Sequence, residues 1–177
     1  LGNEAQSYLR IDDLTIAFDT NSSYTLDVYQ LDNLPLESST ADDLIIALSA
    51  YQGELLPGFY DEWITVERER ISVLFEAKMG RLLEQLQSEG RWKEVLEWGT
   101  RWTSMGRWPE PAYRALMSAY ANGGDIPKAV DTYKRLSQGL EKDLGMKPSE
   151  QSQALYKRLK AGWKMDIQKE APNERTG

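Results

Sequence analysis

The chain contains no cysteine and no histidine. The first absence excludes disulfides and thiolate zinc sites, and the second excludes Ser–His–Asp triads and imidazole proton shuttles. Only carboxylates remain for metal binding or acid–base work. No stretch approaches the ~18 consecutive apolar residues of a membrane helix, and no basic-then-apolar leader opens the sequence. Missing cysteine also fits a reducing, cytoplasmic location. Phenylalanine is scarce, and the aromatic surface is carried by six Trp and nine Tyr, large groups that helical packing can bury. The 177 residues suffice for one domain and a small appendage. Because they begin at Leu1 rather than Met, we read them as a piece of something longer.

Cations are almost absent from the front of the chain. Residues 1–62 hold 12 acids and one base, Arg10, a net −11, whereas residues 63–177 hold 20 bases and 16 acids, a net +4. The acidic front repels a phosphate backbone. DNA binding by these residues themselves is therefore not expected.

The first third reads as β. Leu9 and Ile11, then Leu14, Ile16 and Phe18, alternate with polar neighbours. Residues 19–23 form a polar turn, after which Tyr24, Leu26 and Val28 alternate again. Alternation around an Asn/Ser turn predicts a hairpin, marginal unless it leans on something else. Residues 34–39 read as a linker. Thr40 is placed to cap a helix from Ala41 to about Tyr51, with Asp42 and Asp43 in its first turn. Residues 52–60 form a Gly/Pro loop with four large apolar residues, expected to be packed down.

From Glu62 onward the period is helical. Trp63, Val66, Arg70, Val73, Leu74, Ala77, Arg81, Leu82, Leu83 and Leu86 trace a stripe to about Ser88. Gly90 suits a left-handed C-cap. Further helices are expected at about 92–103, 110–121 and 126–143. A last one opens at Pro148-Ser149-Glu150 and ends near Trp163, with a frayed polar tail from Lys164.

Gly90 and Gly124 lie 34 residues apart, as do Val95 and Ala129, Leu96 and Val130, Leu82 and Leu116, and Leu86 and Tyr120. A 34-residue stride between helix pairs resembles the tetratricopeptide repeat. One repeat reads Tyr113, Leu116, Met117, Tyr120, Gly124, Ala129, Tyr133; the other reads Met79, Leu82, Leu83, Leu86, Gly90, Val95, Gly99. A third unit supplies only a first helix, which serves as a cap. The fold class expected is mainly α: tetratricopeptide-like stacked helical hairpins, an α–α superhelix, preceded by a small N-terminal β-hairpin. Such a stack offers a concave face to another protein. Its first-helix positions are Gly80, Glu84 and Gln87, then Arg114, Ser118 and Ala121. We take Glu84, Gln87, Arg114 and Ser118 as candidate partner-binding residues. Only Arg114 matches the Lys/Arg/Asn set of carboxylate-clamping modules, so a chaperone-adaptor role does not fit. The chain's own hairpin or loop is one candidate to fill the groove.

Other charged groups find plainer explanations. Glu67-Arg68-Glu69-Arg70 reads as a solvated face, with Arg68 or Arg70 stapled to a neighbouring helix. The pairs Asp12/Asp13 and Asp42/Asp43 point about 100° apart on a helix and do not converge on a substrate. Gly123-Gly124-Asp125 lacks the Gly-x-x-x-x-Gly-Lys-Ser/Thr spacing of a phosphate loop and reads as a turn. No catalytic residue, metal site or cofactor is expected.

The run from Tyr51 narrows this further. Tyr51 through Phe59 leads into Trp63-Ile64 and Glu67 through Arg70. Gly90-Arg91-Trp92, Glu110 through Met117, Gly124-Asp125, Ala129, Tyr133, Leu140 through Gly145, and Pro148 follow in order. Over residues 41–160 this series resembles the bacterial transcriptional activator domain of SARP-type antibiotic-pathway regulators and related large ATP-dependent regulators. Two departures stand out: Pro109 precedes Glu110 where the family usually has an acid before the Pro, and Trp98 and Trp102 occupy positions where smaller residues are common. The resemblance implies a regulatory domain that acts by protein–protein contact with RNA polymerase, with itself as a homodimer, or with a sensor module. It also implies that DNA is contacted only through a winged-helix domain missing from this chain, of which residues 1–37 resemble the end. Residues 38–165 are then the activator domain and 166–177 a polar tail. A tetratricopeptide-like scaffold outside transcription is the alternative reading.

Overall fold

A computed structural model of the chain describes residues 8–12, 14–24, 27–106 and 108–170, with side chains through Gly162 in the last helix. The elements run β1 (Leu9–Ile11), β2 (Ile16–Phe18), α1 (Asp27–Asn33), α2 (Ala41–Ala50), α3 (Glu62–Ser88), α4 (Trp92–Ser104), α5 (Glu110–Asn122), α6 (Ile126–Leu144) and α7 (Glu150–Glu170). The chain is mainly helical, with one two-stranded antiparallel hairpin, as expected.

The hairpin lies earlier than its sequence suggested. Leu9 pairs with Phe18 and Ile11 with Ile16. The chain reverses between Ile11 and Ile16, where the Asp12 carboxylate accepts the Leu14 amide at 2.8 Å and the Thr15 amide and hydroxyl, each at 2.7 Å. An aspartate that captures amides two and three residues on makes its own turn. The 19–23 segment leads out of β2 instead, with the Ser22 hydroxyl donating to the Asp19 carbonyl. Val28 does not join a strand either. It stands three residues before Leu31, a spacing that in α1 turns both toward α2 and α3, and Leu31 is 2% exposed. Asp13, Thr25 and Leu26, which also entered the β reading, lie outside the described residues, as does the tail beyond Glu170.

Residues 34–39 connect α1 to α2 under restraint. The buried Lys78 ammonium donates to the Leu34 carbonyl and Gln85 donates to the Ser39 carbonyl at 2.9 Å. Thr40 caps α2 as expected, in a reciprocal box with Asp43. Helix α2 then buries Ala41, Leu44, Ala47 and Leu48. Its C-terminal carbonyls, Leu48 and Tyr51, are met by the Arg101 guanidinium at 3.1 and 2.6 Å.

Helix α3 carries two apolar rows of helical period, and the one buried along its first half is not the one read from the sequence. Ile64, Ile71, Phe75, Met79, Leu82 and Leu86 face the core. Trp63, Val66 and Val73 stand 60%, 64% and 58% exposed on another side. This row wins because Leu31, Leu44 and Leu48 from α1 and α2 converge on its Ile71, Phe75 and Met79. Helix α3 ends at Gly90, whose φ of 71° is left-handed as anticipated, and the next amide, Arg91, donates back to the Leu86 carbonyl.

From there the helices stack in pairs. Helix α5 touches α3, α4, α6 and α7, while α4 and α6 share no Cα pair within 8 Å among the described residues. First helices therefore meet and second helices splay, which curves the stack and leaves the first-helix side concave. Gly99 permits the α4–α5 approach: a methyl there would lie 3.0 Å from Leu116 Cγ and Cδ2. The last helix runs to Glu170, seven residues beyond the Trp163 at which the sequence stopped it.

Candidate partner-binding face

Along α5 nearly every side is buried against four neighbouring helices. The residues left partly open are Pro111, Arg114, Ser118, Ala121 and Asn122 together with Glu110 and Tyr120. Arg114, Ser118 and Ala121 follow i, i+4, i+7 spacing and so form one row. On α3 the corresponding row is Gly80, Glu84 and Gln87. Around Gly80 there is open space, and the Glu84 side chain is 72% exposed, 3.9 Å from Arg81. Gln87 turns back onto its own helix and donates to the Leu83 carbonyl at 2.9 Å. Because α3 touches α5, these rows belong to adjacent helices on the side away from α4 and α6.

Arg114 is not a free cation on that face. It donates to the Ser152 hydroxyl at 3.2 Å and lies 3.9 Å from Glu110. Glu110 itself accepts the Ser149 amide at 2.9 Å, the Ser149 hydroxyl at 2.6 Å and the Ser152 hydroxyl at 2.6 Å. Burial pushes its carboxyl up, but these hydrogen bonds and the Arg114 charge outweigh burial and hold it below its usual range. The cluster joins the first turns of α5 and α7, whose members stand about 39 residues apart in sequence. Sequence reading missed it, because no local pattern links Glu110 to Ser149.

The same row of α3 continues beyond the stack. Val66, Val73 and Ala77 share a quadrant with Gly80 and Glu84 at about 100° per residue. Trp63 borders it, and Phe59 and Tyr60 stand exposed just before the helix. The 52–60 loop is thus only partly packed down. Its backbone is held by Arg68, which donates to the carbonyls of Leu55 (2.8 Å), Leu56 (2.6 Å) and Phe59 (2.9 Å). Arg70 does the expected stapling, to Asp32 of α1 at 2.7 Å. That hydrogen bond raises the Arg70 pKa and lowers that of Asp32. The outward row was legible as apolar spacing, and its misassignment to the core had a warning sign: Arg70 interrupts it, while Glu62, Glu69 and Glu76 flank it at intervals of seven.

Among the described residues no group of acids is placed to hold a metal, and no helix is long and apolar enough to cross a membrane. Two cavities of about 430 and 500 Å³ flank the 53–55 segment, lined mainly by Tyr51, Leu55, Ile71, Phe75 and Trp102. The rows on α3 and α5 lie side by side, and exposed apolar residues continue the α3 row toward its N-terminus.

A search of curated proteins finds no match to the chain. The family model described as the bacterial transcriptional activator domain matches residues 37–160, well over half of the chain, and these span α2 through the first half of α7. The chain, a stack of helical hairpins matched over that length, belongs to the bacterial transcriptional activator domain family.

Proposed function

We propose that this transcriptional activator domain works by protein–protein contact, along the concave face formed by α3 and α5. The observation that carries the reading is the open row on α3, where large apolar side chains remain in water beside the concave positions Glu84 and Gln87. Glu84, Gln87, Arg114 and Ser118 are the contact residues of this proposal. The partner is RNA polymerase, a second copy of the regulator or a sensor module. DNA is reached through a winged-helix unit, with residues 1–37 as its end, 38–165 as the activator domain and 166–177 as a polar tail. Supporting this division, Ile11, Leu14 and Ile16 of the hairpin are exposed, and the hairpin packs on no helix among the described residues. A cytoplasmic setting follows from the same reading.

The test is a reporter promoter driven by the intact regulator. Glu84→Lys and Ser118→Arg are expected to abolish activation while operator binding and helicity are retained. Full activation from both variants would refute the concave face as the working surface.

A further inference from the structure

Helix α3 leaves a row about four turns long uncovered, from Trp63 through Val66 and Val73 to Ala77. Exposed apolar side chains in such register form one side of a helix–helix seam. The row is edged by the exposed acids Glu62 and Glu69, and the Arg70 that interrupts it is already paired with Asp32 and Glu67. Packing it on the same row of another copy would set these acids against their own counterparts, which is repulsive. A cationic helix face is required, and the chain holds one. On α7 the exposed residues Ala154, Lys157, Arg158, Lys160 and Ala161 include three cations, with a single exposed acid, Glu150, one turn before them. Ala154, Arg158 and Ala161 are spaced i, i+4, i+7, with a small residue at each end, so a facing helix can approach closely.

We propose that the outward row of α3 docks on this basic face of α7 from a second copy of the chain. The proposal rests on the protein-contact reading above and names its partner. Trp63, Val66 and Val73 supply the apolar surface, and Glu62 and Glu69 meet Lys157 and Arg158. Each copy carries both halves, so the contact either closes as a two-fold reciprocal pair or, repeated head to tail, runs on as a chain. Assembly grows with protein concentration and weakens with salt, since its charged edge is open to solvent.

Sedimentation velocity of the whole chain across the micromolar to millimolar range tests this. The wild type is expected to grow heavier with concentration. Glu62→Lys/Glu69→Lys and, separately, Lys157→Glu/Arg158→Glu are each expected to weaken assembly by roughly tenfold or more. Combining all four substitutions, or mixing the two variants, restores it. These positions are exposed, so circular dichroism should show unchanged helicity. Val73→Ser gives an independent loss without altering charge. A chain that stays monomeric throughout overturns the proposal, whether or not a foreign basic helix binds the row, and so does assembly indifferent to both reversals. Glu84 and Ser118 are untouched by these changes, so reporter activation judges the concave face separately.

Discussion

Gly139→Ala reads out how the last two helix pairs are locked. Gly139 lies inside α6, where glycine costs about 0.8–1.0 kcal/mol relative to alanine. The Trp108 ring explains it: a methyl on Gly139 would fall inside that ring. Trp108 holds this pose with a left-handed φ of 51°, a bond from Nε1 to Asp143 at 2.8 Å and ring contact with Tyr113 at 5.9 Å. The methyl must expel the indole or push the helices apart. Overpacking costs about 1–3 kcal/mol, and losing the indole bond and the aromatic pair costs about 0.5–1.5 kcal/mol each. Against the helix-propensity gain, the net loss is about 2 kcal/mol, or roughly 4–8 °C in Tm for a chain of this size. The sign should reverse once the ring is gone. In a Trp108→Gly background, which also relieves the positive φ, Gly139→Ala should stabilise by about 0.8–1.0 kcal/mol. Urea unfolding followed by circular dichroism on the four members of the cycle gives a coupling near 3 kcal/mol. If Gly139→Ala destabilises equally with and without the indole, the packing argument is wrong.

Three further outcomes follow from the same structure. Glu110→Ala should cost about 2–4 kcal/mol by releasing α7 from α5. Because the folded carboxyl lies below its ordinary value, its contribution is fully present above the unfolded pKa of about 4.3 and is lost as pH falls through the folded one. Wild type and variant should therefore converge in urea midpoint under acid, and parallel curves would contradict this. Gly99→Ala, pressed 3.0 Å from Leu116, is expected to destabilise by about 1–2 kcal/mol, whereas Gly80→Ala, facing open space, should stabilise by about 0.5–1 kcal/mol; thermal melts of the pair check the contrast. Arg68 reaches the Leu55 carbonyl from Nε and the Leu56 and Phe59 carbonyls from Nη2, a spread that the single nitrogen of Arg68→Lys does not reproduce, so hydrogen exchange should rise across 53–59 while global stability changes by less than about 1 kcal/mol.

Helix positions were legible because the signals that set them are local. Thr40 with Asp43, Gly90, Gly124 and Gly145 mark ends through the capping and backbone freedom of neighbouring residues. The 34-residue stride marks the pairing because each pair presents the same apolar positions to the next. The hairpin and α1 were less legible. Three alternating apolar residues fit a strand and a helix turn about equally, and burial of Leu31 decided for the helix.

The sequence by itself determined that this chain is a helical stack and where α2 through α7 begin. Only the tertiary structure decided which of two apolar rows on α3 is core, since both have helical period and the choice depends on what α1 and α2 bring to it. It alone seated Trp108 on Gly139 and gathered Glu110, Ser149 and Ser152, because those contacts join residues about 31–42 positions apart that no local pattern relates. For the same reason it alone left Val66 and Val73 in water.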